Sequence, residues 1–272
     1  MKQLRRSPLA RPACVAATVV LLASGQTPPV PQPATSVTVM TSGGFAAAFQ
    51  ALGSGYERAS GSRIATVLGA SMGSTPTAIP MRLDRNESAD VVILAREALD
   101  KLADKGQVIP TSRTDLALSR IALAVRADAA APDIGTDDAL RKVLLRAKSV
   151  AYSDSASGVY VSGELYKRLG IAGDMAAKSR MIPGTPVGEI VARGEAEIGL
   201  QQFSELKPIK GIKIVGLIPE DLQKVTTFAA GVVARSSQPG RARELIAFLA
   251  SSAAFGAIRD SGMEPAQAAA KK

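Results

Sequence analysis

Three short segments of the chain place serine and glycine where an anion could be held: Ser42-Gly43-Gly44, Ser71-Met72-Gly73-Ser74 and Ser153-Asp154-Ser155-Ala156-Ser157-Gly158. Each follows a β-branched run and precedes a helical pattern. Glycine lets a ligand approach the backbone, free amides at a helix N-terminus point at negative charge, and serine hydroxyls donate without adding charge. Serine is also a preferred helix cap and glycine a common turn residue, so any one segment is explained as well by structure alone. Three of them at the carboxyl ends of strands make a stronger case, because open α/β sheets bind ligands there. Gln201-Gln202 ends an apolar run with two neutral amides, and Val187 opens a helical pattern after Gly184-Thr185-Pro186. The candidate ligand-binding set is therefore Ser42, Gly43, Gly44, Ser71, Ser74, Ser155, Ser157, Val187 and Gln202. An oxyanion there would be met by dipoles and hydroxyls, whereas a carboxylate would recruit an arginine fork, with Arg82 or Arg180 as candidates.

Composition removes other chemistries. The 272 residues include no His, no Trp and one Cys, so a histidine relay, a His or Cys zinc site, a haem ligand and a CxxC redox pair are excluded. No metal site and no cofactor are expected. Ser42-Gly43-Gly44 matches neither a dinucleotide fingerprint nor a phosphate loop. The Ser204 to Lys207 spacing runs into Pro208 instead of opening a helix, Glu195 and Glu197 read as a solvated face, and Asp154 resembles a nucleophile neighbourhood only superficially. The expectation is a binding protein with no catalytic residues, and the competing class, an exported enzyme, is separated from it by turnover of the ligand. Lys and Arg number 33 against 24 Asp and Glu, but no run of five or six basic residues occurs and aromatics are 4%, which argues against nucleic acid as a partner.

These residues must be positioned by an alternation of strands and helices. Strands are expected at 37–40, 64–68, 91–94, 121–125, 150–152, 198–202, 212–217 and 228–233, and helices at 45–59, 75–83, 97–105, 137–147, 158–169, 187–193 and 241–260. Alternation of this kind predicts an α/β chain with mainly parallel sheets. The segments at 121–125 and 228–233 are placed to leave one lobe and return to it, giving lobe 1 at 36–119 and 228–272 and lobe 2 at 120–227. A single continuous sheet is the alternative that the length permits. Gln267 to Lys272 offer no apolar face and are expected to be loose.

The N-terminal segment reads as an address. Lys2, Arg5, Arg6 and Arg11 precede an apolar run at 13–22 and the small residues Ala23-Ser24-Gly25, the layout of a cleaved signal peptide over residues 1–25. Cleavage removes four positive charges and no negative one, and it removes Cys14. Residues 26–35, with four prolines, read as a flexible leader. The periplasm is the expected location.

From Ser36 to Pro265 the chain resembles the periplasmic solute-binding proteins of ABC importers, with the molybdate-binding type the nearer likeness. The segments that carry it are Ser42-Gly43-Gly44-Phe45 and the helix after it, Ala89-Asp90-Val91-Val92-Ile93, Ala151 to Tyr160, Leu165 to Gly170, and Val191 to Leu200. The resemblance implies a type II fold of two α/β lobes with two crossing strands as hinge. It also implies a monomer that captures a small, molybdate-like anion and delivers it to a membrane permease. Where those proteins carry alanines and a serine before the first helix, this chain has the hydroxyl two positions earlier, at Ser42, and where they carry a Tyr it has Gln202. These departures open the ligand to a sulfate-like oxyanion or a small organic carboxylate.

Overall fold

The computed structural model describes residues 36–269; the segments expected to be a signal peptide and a leader, residues 1–35, and residues 270–272 lie outside the described residues. Two sheets form the framework. The first contains β1 (Ser36–Thr41), β2 (Arg63–Leu68), β3 (Val91–Ala95), β4 (Thr114–Ser119), β10 (Thr226–Val232) and β11 (Glu264–Pro265), in the order β11-β4-β10-β3-β1-β2. The second contains β5 (Ile121–Arg126), β6 (Val150–Ser153), β7 (Ser179–Ile182), β8 (Ile198–Gln202) and β9 (Ile212–Leu217), in the order β7-β6-β8-β5-β9. Only Arg120 separates β4 from β5, so the chain passes from one sheet to the other there and returns between β9 and β10.

The expectation of mainly parallel sheets is corrected, since both are mixed. β2-β1-β3 and β7-β6-β8 are parallel, but β10 runs antiparallel to β3 and β4, and β5 antiparallel to β8 and β9. The antiparallel strands are those next to the two passages, where the chain arrives without a crossover helix to reverse it. The central strands β3, β5 and β8 are buried nearly throughout, which is why they read as unbroken apolar runs.

Helices cover both faces of each sheet. In the first, α1 (Gly43–Ser60) buries Phe45, Phe49 and Leu52 on one face together with Leu245 and Leu249 of α10 (Pro239–Ala250), while Ile79 and Leu83 of α2 (Ile79–Asp84) and Leu99 and Leu102 of α3 (Arg96–Asp104) cover the other. In the second, Leu140 and Leu144 of α4 (Asp137–Arg146) and Met175 of α7 (Ala172–Ala176) pack with Tyr160 of α5 (Ala156–Tyr160) and Tyr166 of α6 (Tyr166–Arg168), and α8 (Val187–Ala192) closes the opposite face. No helix among the described residues is long and apolar enough to cross a membrane.

Local chemistry explains the shifted boundaries. α2 begins at Ile79, not at Thr75, because Pro80 has no amide to give and fits only in a first turn. The expected helix at 158–169 is α5 and α6 joined by a π-helical stretch, Val161–Leu165. The expected helix at 241–260 breaks at Ser251, whose hydroxyl bonds back to the Phe248 carbonyl, and resumes as α11 (Phe255–Asp260). Gln267 to Ala269, expected to be loose, fall in a short helix, α12 (Ala266–Ala269).

Candidate functional site

The carboxyl ends of β1, β2, β6 and β8 meet at a cavity of about 220 Å³. Gly43 opens α1 on one side; Ala70 and Thr77 belong to the turn after β2; Ser153 ends β6, and Asp154 and Ser155 follow it; Gln201 is next to the last residue of β8. The remaining wall includes Glu205, on the short helix α9 (Phe203–Leu206) that follows β8 directly.

Glu205 is the group with chemical potential. Burial pushes its carboxyl up to about 7, the hydrogen-bonded Gln201 side chain pulls the other way, and the negative charge of Asp154 adds to the rise. Its Oε1 sits so close to Gly43 that a β-carbon there would lie 2.2 Å away, so the glycine makes room for the carboxylate at the head of α1. Gln201 is fixed in turn, because its Oε1 accepts from Val187 N at 2.9 Å. A carboxylic acid near neutrality can both take and return a proton at physiological pH.

The raised value has a consequence for stability. Free glutamate titrates near 4.5, so between pH 4.5 and about 7 the folded chain keeps a proton that the unfolded chain has lost. Stability from this group is full below the lower value and is lost as pH rises through the upper one. Glu205→Gln is therefore expected to raise stability at pH 8 by something on the order of 2–3 kcal/mol and to leave it unchanged at pH 4, as read by denaturant titration at the two pH values.

Ser155, on the cavity wall, and Ser71, bonded to it from behind, are set up as donors. Ser71 Oγ accepts from Ala95 N at 2.9 Å, and Ser155 Oγ accepts from Ser71 N at 3.1 Å, which leaves each hydroxyl proton free for a ligand. Ser42 precedes α1, is 1% exposed, and its Oγ has no partner. Gln202 is equally buried, with Nε2 on Thr226 Oγ1 at 2.8 Å and Oε1 unpartnered. Exchange of the two amide atoms would keep the Thr226 bond and turn two donors inward.

Three of the candidate residues are turned to structural work and a fourth, Ser74, faces solvent. Gly44 is held against the Phe228 ring, where a β-carbon would come within 2.1 Å. Ser157 bonds Ser153 Oγ at 3.1 Å, Val187 spends its amide on Gln201, and Ser74 is exposed, with Thr75 and Thr77 of the same turn reaching the cleft instead. The arginines are also occupied elsewhere: Arg82 holds the Thr77 carbonyl and Glu87, and Arg180 holds Glu195. A larger cavity, about 570 Å³, lies between α3, α5 and the segment at 224–227, but its cations are paired, Lys224 with Glu97 and Arg96 with Asp115. Among the described residues no group of three or more His, Cys, Asp or Glu is placed to hold a metal ion.

Residues 37–264 match the family model of bacterial extracellular solute-binding proteins. Two solved structures share the fold: the periplasmic molybdate-binding protein of Azotobacter vinelandii, with a TM-score of 0.66 at 19% identity over 84% of this chain and 98% of that one, and the sulfate-binding protein SubI of Mycobacterium tuberculosis, with a TM-score of 0.62 at 18% identity over 85% and 87%. An aconitate isomerase of a Pseudomonas species is far more similar, being 51% identical over 237 residues that span 87% of this chain and 90% of the relative. That relative is an enzyme, and it overturns the expectation of a protein without catalysis. With no His and a single Cys, histidine relays and His or Cys metal sites are excluded, but proton transfer needs only a carboxylate of raised pKa, and the candidate set did not include Glu205. The two-lobed fold, the cleft lined from both sheets and the match over nearly all of the described residues place the chain in the family of bacterial extracellular solute-binding proteins.

Proposed function

We propose that the chain is an isomerase of a small unsaturated tricarboxylate, aconitate, working outside the cytoplasm in the cleft between its two sheets. The observation that carries this reading is the 51% identity to an aconitate isomerase across almost the whole length of both chains. Within the cleft, Glu205 is the group suited to the chemistry.

Aconitate holds a CH2 group flanked by a carboxylate and a carbon–carbon double bond. Glu205, as carboxylate, takes one proton from that carbon, and the electron pair spreads over three carbons and into the attached carboxylates. Return of the proton to the far end of the three-carbon unit moves the double bond, and the conformation held at that moment sets cis or trans geometry. One C–H bond breaks, one forms, and Glu205 ends as it began. The developing charge is met by the N-terminal amides of α1 and by the Ser42, Ser71 and Ser155 hydroxyls, with Gln202 at the inner end. Removing one of these donors weakens binding: Ser42→Ala is expected to cost about 1–3 kcal/mol of affinity by calorimetry with an unchanged fold.

The test is direct. Purified protein mixed with cis-aconitate is followed by proton NMR, and appearance of the trans isomer is expected. The fold it shares with anion-binding proteins favours a second role, capture of a small anion and delivery to a membrane permease of an ABC importer. Tight binding of aconitate recovered unaltered would overturn the isomerase and leave that second role standing.

A further inference from the structure

Asp154 poses a question that anion binding does not answer. It is 7% exposed, it lines the cleft, and none of the ion pairs among the described residues includes it. A buried carboxylate without a counter-ion is costly, and beside an anionic ligand it repels as well. What holds it are two neutral donors on one oxygen: Thr75 Oγ1, from the turn of the first sheet, and Gly184 N, from the loop before α8, each at 3.3 Å from Oδ2. The same two turns touch twice more. Ser71 N donates to Ser155 Oγ, and Gly73 lies so near the Asp154 carbonyl that a β-carbon would approach it to 2.9 Å.

We propose that Asp154 is the positioning residue of the cleft: its carboxylate latches the turn of the first sheet onto the second, and its charge acts on Glu205 from the same cavity. This rests on the reading of Glu205 as the proton-transferring group. The latch fixes Asp154 on the wall of the cavity that Glu205 shares, while Gly43 at the head of α1 packs against Glu205 from the other side. Other charges near α9 are engaged elsewhere. Lys207, just after α9, bonds the Asp260 carbonyl, Glu189 of α8 pairs with Arg193, Arg126 of β5 pairs with Asp128, and Glu57 and Arg58 belong to the far end of α1. The strand β8 adds only the neutral Gln201. One residue thus joins the closed turn to the negative charge beside Glu205, which adds to the larger effect of burial.

The experiment is a carbon-13 NMR titration of the Glu205 side-chain carboxyl, assigned by its loss in Glu205→Gln, in the full-length protein and three variants. Asp154→Asn keeps an acceptor for Thr75 but removes the charge, and its midpoint is expected to fall by about half a pH unit or more. Thr75→Val removes the latch and keeps the charge, and its midpoint is also expected to fall, because Asp154 is no longer held beside the carboxyl. Thr75→Ser, which retains the hydroxyl, is expected to titrate like the wild type. Midpoints that stay in place in both Asp154→Asn and Thr75→Val overturn the proposal. The titration needs no turnover, so absence of isomerase activity in the wild type would refute the functional reading while the NMR result still decides the role of Asp154. Where activity is present, the rising limb of the pH profile of kcat/KM should move with the midpoint in each variant.

Discussion

Glu205→Gln is expected to lower the rate of cis–trans interconversion of aconitate by about 10²- to 10⁴-fold while leaving the ligand bound. Glutamine preserves the length of the side chain and its polar contact with Gln201, but it cannot accept a proton. The loss should therefore fall on kcat, with KM little changed or lowered, since the variant removes a negative charge from a cleft that receives an anion. The wild-type profile carries a second mark of the same group. A base must be ionised in the resting enzyme, so kcat/KM should rise with pH through about 7 and level off above it. A bound trianion favours the protonated form of its neighbour, so the midpoint in kcat should lie above that in kcat/KM. A variant that keeps wild-type turnover, or a wild-type profile that falls as pH rises through 7, would remove Glu205 from the reaction.

That residue also shows where reading the sequence stops. The alternation of strands and helices was legible because β1, β3, β5 and β8 are apolar runs and α1, α3 and α4 have one buried face each. The short elements were not: β4 mixes Asp115 and Thr114 with its apolar residues, β7 is four residues and half of it is exposed, and α9 is a single turn. Glu205 sits on that turn. The signal that could have found it was its place just past a strand's carboxyl end, three residues after Gln202, the kind of position that singled out the serine turns. Attention to Ser204 and Lys207 as a failed nucleophile pair passed over the acid between them. Val187 and Ser157 stand at helix starts that look like ligand positions, and their polar atoms are used by Gln201 and Ser153. Spacing along a chain shows which strand end a residue belongs to. It does not show which neighbour claims its hydrogen bond.

The second large effect concerns the turn that carries Asp154 and Ser155. Gly158→Ala is expected to destabilise the protein by about 4 kcal/mol or more, the range reserved for outright steric conflict in a packed core. A β-carbon at this position would lie 1.6 Å from the Ser153 carbonyl oxygen and 3.0 Å from the Ser153 amide nitrogen, both backbone atoms that no rotamer change can move aside. The chain folds back on itself there: β6 ends at Ser153, α5 begins at Ala156, and the helix can start so soon only if its third residue presents no side chain to the strand end. Relief of the clash would have to displace Ser153 to Ser155, and with them the latch to Thr75 and the Ser155 hydroxyl. A variant that still folds should accordingly lose the thermal shift expected of aconitate with the wild type. Gly163→Ala is the control, since this glycine lies in the same helical run with nothing within 4 Å of the added carbon, and it is expected to be neutral or stabilising by a few tenths of a kcal/mol. Denaturant midpoints for the two variants would separate a steric requirement at one residue from a general preference for glycine in the helix, and a Gly158→Ala protein as stable as the wild type would mean that the turn after β6 is not built as described.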